Sequence, residues 1–456
     1  MSDTERNDID EEFEGLDLDG SPDNGMNVVE DAPIWATTTL SKEELERVQA
    51  ETSRDDSQAF EEQPLADKFK THNGGKVLQS KLDWGVDAHE TENTNNVNQK
   101  CLCQSFSTDG RLIAIGTTGG NVKIVNVTGD EPSLMRNIEV VKGKEIDPIT
   151  TVKFQQGKDN KEQNVLLACT AGGKLFHYHA TTGQLMWKSQ EQGNKLFASG
   201  FLCDGKHFMT GGSDSTLRIY DSTTRKRVTV FKKGGYRNVG HTSNIYSICG
   251  HPNDPNIFCS SGWDSCLNMY DIRSPVPVAS THGPYVSGDA VDIARDNSNH
   301  IITGSRRTTN TLQLWDFRVN KEPLNYIKLL TNLPFKKRQE EAPCLLYAAR
   351  FVCHDIFGKP CIVAGGGGEL PLARTFDRQQ LKNTGTLIAD APVYSIDVHH
   401  DELDENKSKV SILLSNKFQL FQGINPMDAK KGRRRSTKSV EYDIRRSKVP
   451  PKWISA

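Results

Sequence analysis

One stretch constrains the fold more than any other. Residues 240–273 read GHTSNIYSICGHPNDPNIFCSSGWDSCLNMYDIR. A Gly240-His241 pair opens the stretch. Two short apolar runs, 245–248 and 257–259, flank a Pro/Asn/Asp turn. A tight turn at 262–265 leads to an alternating run, 267–270, which Asp271 closes. Runs this short between turn residues read as strands. A unit of four short strands in about 40 residues cannot bury both its faces alone, so it requires neighbours of its own kind.

The neighbours are present. Residues 101–127, 150–182, 197–231, 288–318, 347–377 and 392–421 repeat the pattern around the founding unit, which is fourth in order. Each has short apolar runs split by glycine turns such as Gly119-Gly120, Gly172-Gly173 and Gly211-Gly212. The spacing of roughly 40 residues is the period of a four-stranded propeller blade. Seven such units predict an all-β propeller over residues 76–425. A propeller avoids open sheet edges by closing on itself.

The carrying residues are Gly240-His241, Asp214 with Tyr220-Asp221, Asp264 with Tyr270-Asp271, and Trp315-Asp316. With them the chain resembles the WD-repeat family, whose fold is the β-propeller. The resemblance implies a structural network joining His241 and Ser260 or Ser261 to Asp264. Most other blades lack the Gly-His pair, so the network is expected to be mostly absent from them. It also implies that an N-terminal strand completes the last blade, and 77–82 is the candidate, pairing near 418–421.

Both ends differ from this body. Residues 1–66 carry 20 acids against 4 bases, and residues 430–452 carry 10 bases against 2 acids. Such blocks behave as solvated tails, so 1–75 is expected to be a mostly disordered acidic tail and 426–456 a disordered basic one. The basic run comprises Lys430, Lys431, Arg433, Arg434 and Arg435, followed by Ser436 as a candidate phosphorylation site. Three readings fit it: nuclear import, salt-dependent contact with nucleic acid or another polyanion, and pairing with the acidic tail. Phosphate on Ser436 would lower the local charge by nearly two units. The chain offers no apolar run of the roughly 20 residues that span a bilayer and no secretory leader. Its ten cysteines lie between Cys101 and Cys361 without framework spacing. The expected setting is therefore intracellular, cytoplasmic or nuclear, with reduced thiols.

The sequence presents no catalytic constellation and no cofactor motif, so the expected function is non-catalytic assembly of other proteins. The runs GGGG at 365–368, His177-x-His179 and Cys101-x-Cys103 read as a permissive turn, half of an incomplete metal site, and two same-face core cysteines. A more specific signal lies in the ends of two consecutive repeats, Asp271-Ile272-Arg273 and Asp316-Phe317-Arg318. They resemble the Asp-x-Arg box of cullin–RING ligase substrate receptors in the same family. That resemblance implies that Arg273 and Arg318 contact a ubiquitin-ligase adaptor from one propeller face, set by Asp271 and Asp316. A guanidinium is a planar multi-donor anchor, which suits an interface. The competing reading is structural: each arginine pairs locally with an acid.

Overall fold

In a computed structural model, the described residues are 77–78, 99–128, 132–141, 146–155, 164–234, 240–318, 322–327, 344–352, 360–368, 371–389, 391–400, 409–415 and 417–422. Everything described below belongs to the unit from Pro64 onward. Both charged tails, with Lys430, Lys431, Arg433, Arg434, Arg435 and Ser436, lie outside the described residues.

Seven four-stranded antiparallel sheets make up the fold. Their inner strands are Cys101–Phe106, Ile149–Phe154, Leu196–Phe201, Ile245–Gly250, Val291–Ile293, Cys344–Val352 and Val393–His399. In blades one to six the strands follow one another in chain order from the axis outward. Blade seven is completed from the N-terminal side. Val77–Leu78 pairs antiparallel with Phe418–Gln422, with Val77 opposite Phe421 and Leu78 opposite Leu420. This closes the ring as the sequence anticipated, over two residues of the stretch 77–82.

The core lies between blades. One apolar cluster joins Phe106, Ile113 and Ile115 of blade one to Leu413, Phe418 and Leu420 of blade seven. Another joins Val122 and Ile124 of blade one to Ile149 and Phe154 of blade two. Each such side chain contributes about 1.5–3 kcal/mol when fully buried. The second strands are buried on both faces, which explains continuous apolar runs such as Leu112–Thr117 and Val165–Thr170. The outer strands are largely exposed, as in Ser133–Glu139.

Two local expectations are corrected. Residues 365–367 are not a turn; they lie inside the strand Cys361–Gly368, paired with residues of Cys344–Val352. Glycine is required there by crowding: a Cβ on Gly366 would stand 1.9 Å from the Leu345 carbonyl oxygen. Cys101 and Cys103 are both buried, but they join different clusters. A bulge between them adds a residue and sends the two thiols to opposite sides of the sheet.

Candidate interaction site

Asp271 and Asp316 each end the third strand of their blade, Cys266–Asp271 and Leu312–Asp316, at equivalent register positions. Arg273 and Arg318 follow by two residues, so both stand on the same face, in neighbouring blades four and five. Each guanidinium folds back on its own aspartate. Arg273 donates through Nε at 2.8 Å and Nη2 at 2.5 Å to Asp271, and Arg318 through Nε at 3.0 Å and Nη2 at 2.7 Å to Asp316. The arginine side chains remain 68% and 65% exposed. The hydrogen bonds from Arg318 hold the Asp316 carboxyl at about 2, and those from Arg273 lower that of Asp271. The pairs are thus local and outward-facing at once, and the sequence brings these four residues together as two separate doublets.

The opposite face carries a feature that sequence reading missed. The inner strands of six blades contain a register shift near their first residues. In four of them the extra residue is aromatic: Phe197, Tyr246, Tyr347 and Tyr394, each half-buried between fully buried neighbours. A bulge re-aims a side chain that would otherwise alternate into the core. Phe197 stacks on Tyr246 with ring centres 4.8 Å apart, and Tyr246 meets Trp263 of the second-to-third-strand turn at 5.0 Å. Trp263 stacks on Tyr285 at 6.2 Å, and its indole N–H donates to Ser287 Oγ at 2.9 Å. Tyr347 meets Tyr394 at 5.9 Å. The result is an aromatic crown around the channel mouth, over blades three to seven. The signal in the sequence was an aromatic residue directly after a buried apolar residue near the start of an inner strand.

A cross-channel ion cluster ties distant blades together. Asp289, in the segment entering blade five, accepts from Lys153 Nζ of blade two at 2.6 Å and from Arg350 of blade six. Ser247 Oγ of blade four donates to its other oxygen at 3.3 Å. Burial works against the Asp289 charge, but Arg350 and Lys153 override it and hold the carboxyl at about 2.

Within blade four the implied network is present. His241 bonds Asp264 through Nδ1 and Ser260 through Nε2, both at 2.7 Å, whereas Ser261 donates to the Cys266 carbonyl. Burial disfavours charge on Asp264, yet the bond from His241 lowers its pKa. Blades two and three lack this imidazole, as expected, and a carboxylate takes its place. Glu191 accepts from Thr210 at 2.6 Å, Asn194 at 2.7 Å and Tyr220 at 3.0 Å, and it forms an ion pair with Arg218 at 2.9 Å. Asp147 accepts from Thr170 at 2.8 Å and the Gly172 N–H at 2.7 Å. His177 is buried against Trp187 and Phe208, and His179 Nδ1 meets Thr181 and Thr182 hydroxyls, so neither imidazole is presented as half of a metal site. Among the described residues no three His, Cys, Asp or Glu side chains are grouped to hold a metal, and no helix is long and apolar enough to cross a membrane.

Comparison with known proteins agrees with this geometry. The family model described as WD domain, G-beta repeat, matches residues 194–221 and 234–271, within blades three and four. An intraflagellar transport protein 122 homolog of Xenopus tropicalis is 24% identical over 210 residues, 45% of this chain and 16% of that protein. A guanine nucleotide-binding protein subunit beta of Arabidopsis thaliana is 28% identical over 117 residues, 25% of this chain and 30% of that protein. The chain thus spans less than a third of the length of these relatives. Two matched repeats, seven four-stranded blades and the His241–Asp264–Ser260 tie inside a matched repeat make this chain a seven-bladed propeller that carries WD-type repeats and is similar to WD-repeat proteins.

Proposed function

We propose that this protein is a non-catalytic scaffold that assembles other proteins within a multiprotein complex, using the aromatic face of its propeller. The crown of Phe197, Tyr246, Trp263, Tyr285, Tyr347 and Tyr394 carries the reading. Aromatic side chains supply large contact area at small entropic cost and are enriched where interfaces are tightest. Rings held by bulges and stacking are pre-organised, which lowers the cost of binding. One relative is by name a subunit of a larger protein, in keeping with an assembling role. The test compares affinity-purified complexes of the wild type with those of Tyr246→Ala/Tyr347→Ala. The double variant should lose the principal partners while its melting temperature stays within a few degrees. An unchanged partner set would refute the use of this face.

A second reading is supported by the exposure of Arg273 and Arg318 at equivalent positions of adjacent blades. In it the protein is a substrate receptor of a cullin–RING ubiquitin ligase, and the two Asp–Arg doublets contact the ligase adaptor. Arg273→Ala/Arg318→Ala should then abolish co-purification of the adaptor and leave crown partners bound. Failure to recover the adaptor with the wild type removes this reading. The basic run at Lys430, Lys431, Arg433, Arg434 and Arg435 adds nuclear import or polyanion contact, with Ser436 as its phosphorylation switch.

A further inference from the structure

We propose, on the scaffold reading above, that the crown selects an extended acidic peptide, one with at least one Asp or Glu flanked by apolar or prolyl residues. The charge in the middle of the crown decides the sign of the partner. Arg306 belongs to the turn after the second strand of blade five, His300–Gly304. Its backbone N–H donates to the Tyr285 carbonyl at 2.7 Å, which seats it among the rings. Blade five lies between blades four and six, so this turn stands between the Tyr246 and Tyr347 arcs of the crown. Arg306 is half-buried, and among the described residues it takes no carboxylate partner. Arg350, the arginine of the adjoining inner strand, pairs with Asp289, whereas the neighbouring Arg307 also lacks a carboxylate among the described residues and meets Ser265 Oγ at 3.3 Å, which adds to the positive charge of this turn. A partly desolvated guanidinium without a counter-charge favours an incoming carboxylate and a charge-assisted bond.

The surrounding groups fit the same ligand. Burial holds the Tyr246 hydroxyl up at about 12 and raises those of Tyr347 and Tyr394, so all three remain O–H donors at neutral pH. The ring faces between them offer stacking area for prolyl, aliphatic or aromatic residues. Aromatic faces also attract cations, but Arg306 at the centre opposes a basic peptide. Facing sheets pack about 10 Å apart, so an arc over blades three to seven asks for several residues of chain rather than one side chain.

The test is a selection of displayed random 12-residue peptides on the full chain, followed by fluorescence anisotropy with the peptides recovered. Recovered peptides should share an Asp or Glu beside apolar or prolyl residues. Arg306→Glu should weaken their binding by more than 10-fold and Arg306→Gln by less, with unchanged melting temperature. Replacing the peptide acids by lysine should abolish binding. Recovery of basic or uncharged peptides overturns the proposal, as does equal affinity for Arg306→Glu or a selection that enriches nothing. The scaffold reading fails separately. If recovered peptides lack an acid but lose affinity for Tyr246→Ala, the crown is the interface and only its chemistry is misassigned. If acidic peptides bind and Tyr246→Ala/Tyr347→Ala keeps every cellular partner, the crown binds peptide but does not assemble those partners.

Discussion

Replacing Asp289 by asparagine tests what holds the channel together. The substitution keeps the shape and removes one charge. Lys153 and Arg350 then face each other with side chains only 19% and 9% exposed and no shared counter-ion. Breaking a buried ion pair by removing one partner costs about 3–5 kcal/mol. The Asp289 side chain keeps 29% of its surface open, so water screens part of the change, and a loss of about 2–3 kcal/mol is expected. At about 2 °C per kcal/mol for a domain of this size, the melting temperature should fall by about 4–6 °C. The double variant Lys153→Met/Asp289→Asn removes one charge of each sign and should recover part of the loss. The pH dependence has a definite sign. The Asp289 carboxyl is depressed in the fold to about 2, against about 3.9 in an unfolded chain. Its contribution is therefore fully present above about pH 4 and disappears as pH falls toward 2. Differential scanning fluorimetry of wild type and Asp289→Asn from pH 8 downward measures this. A difference under 1 °C at pH 7, or one that widens below pH 4, would refute the reasoning.

Other expectations follow from single features. His177 is 1% exposed with Nε2 unpartnered among the described residues, and burial pushes its pKa down to about 4; His177→Phe should raise stability by about 1 kcal/mol at pH 7. Because this pKa is depressed, the wild type loses stability as pH falls from about 6.5 to 4, so the advantage of the variant should grow on acidification, as thermal scans at pH 7 and 5 will tell. Removal of residues 1–74 should leave the melting temperature unchanged, whereas removal of 1–78 reopens the edge of Phe418–Gln422 and should cost about 1–2 kcal/mol; equal melting of the two truncations counts against closure. Arg433→Ala/Arg434→Ala/Arg435→Ala should weaken binding to heparin or nucleic acid and flatten its salt dependence, measured by titration at several ionic strengths.

The ring of seven blades was legible because burial imposes a period. Second strands such as Leu112–Thr117 are buried along their whole length and read as apolar runs. Outer strands were not legible: in Gln184–Gln190 the side chains are mostly exposed, so nothing selects an apolar pattern. The network of blade four was readable because the Gly240-His241 pair is unusual. Its counterparts in blades two and three escaped notice because Asp147 and Glu191 look like ordinary loop acids until the fold brings Thr170 and Thr210 to them. The crown escaped for a similar reason. An aromatic residue in a strand reads as core, and only the bulges between Ile245 and Ser247 and between Leu346 and Ala348 reveal that Tyr246 and Tyr347 are turned toward the surface.

These features bear on one another through the seams between blades. Around the channel, polar bonds join successive inner strands. The Phe106 N–H donates to Asp397 at 2.6 Å, Phe154 N–H to Ser105 Oγ at 3.2 Å, and Phe351 N–H to Asp292 at 2.8 Å. Thr151 and Ser199 hydroxyls meet at 2.8 Å, and Val291 N–H reaches Ser247 Oγ at 3.2 Å. These ties close the seams from blade seven to one, one to two, two to three, four to five and five to six. At the two remaining seams, three to four and six to seven, aromatic pairs of the crown span the junction: Phe197 with Tyr246, and Tyr347 with Tyr394. The rings are therefore anchored by the same contacts that hold neighbouring blades together. A surface anchored in this way loses little freedom when a partner arrives. Single ring substitutions should consequently show a small stability cost beside a larger loss of binding.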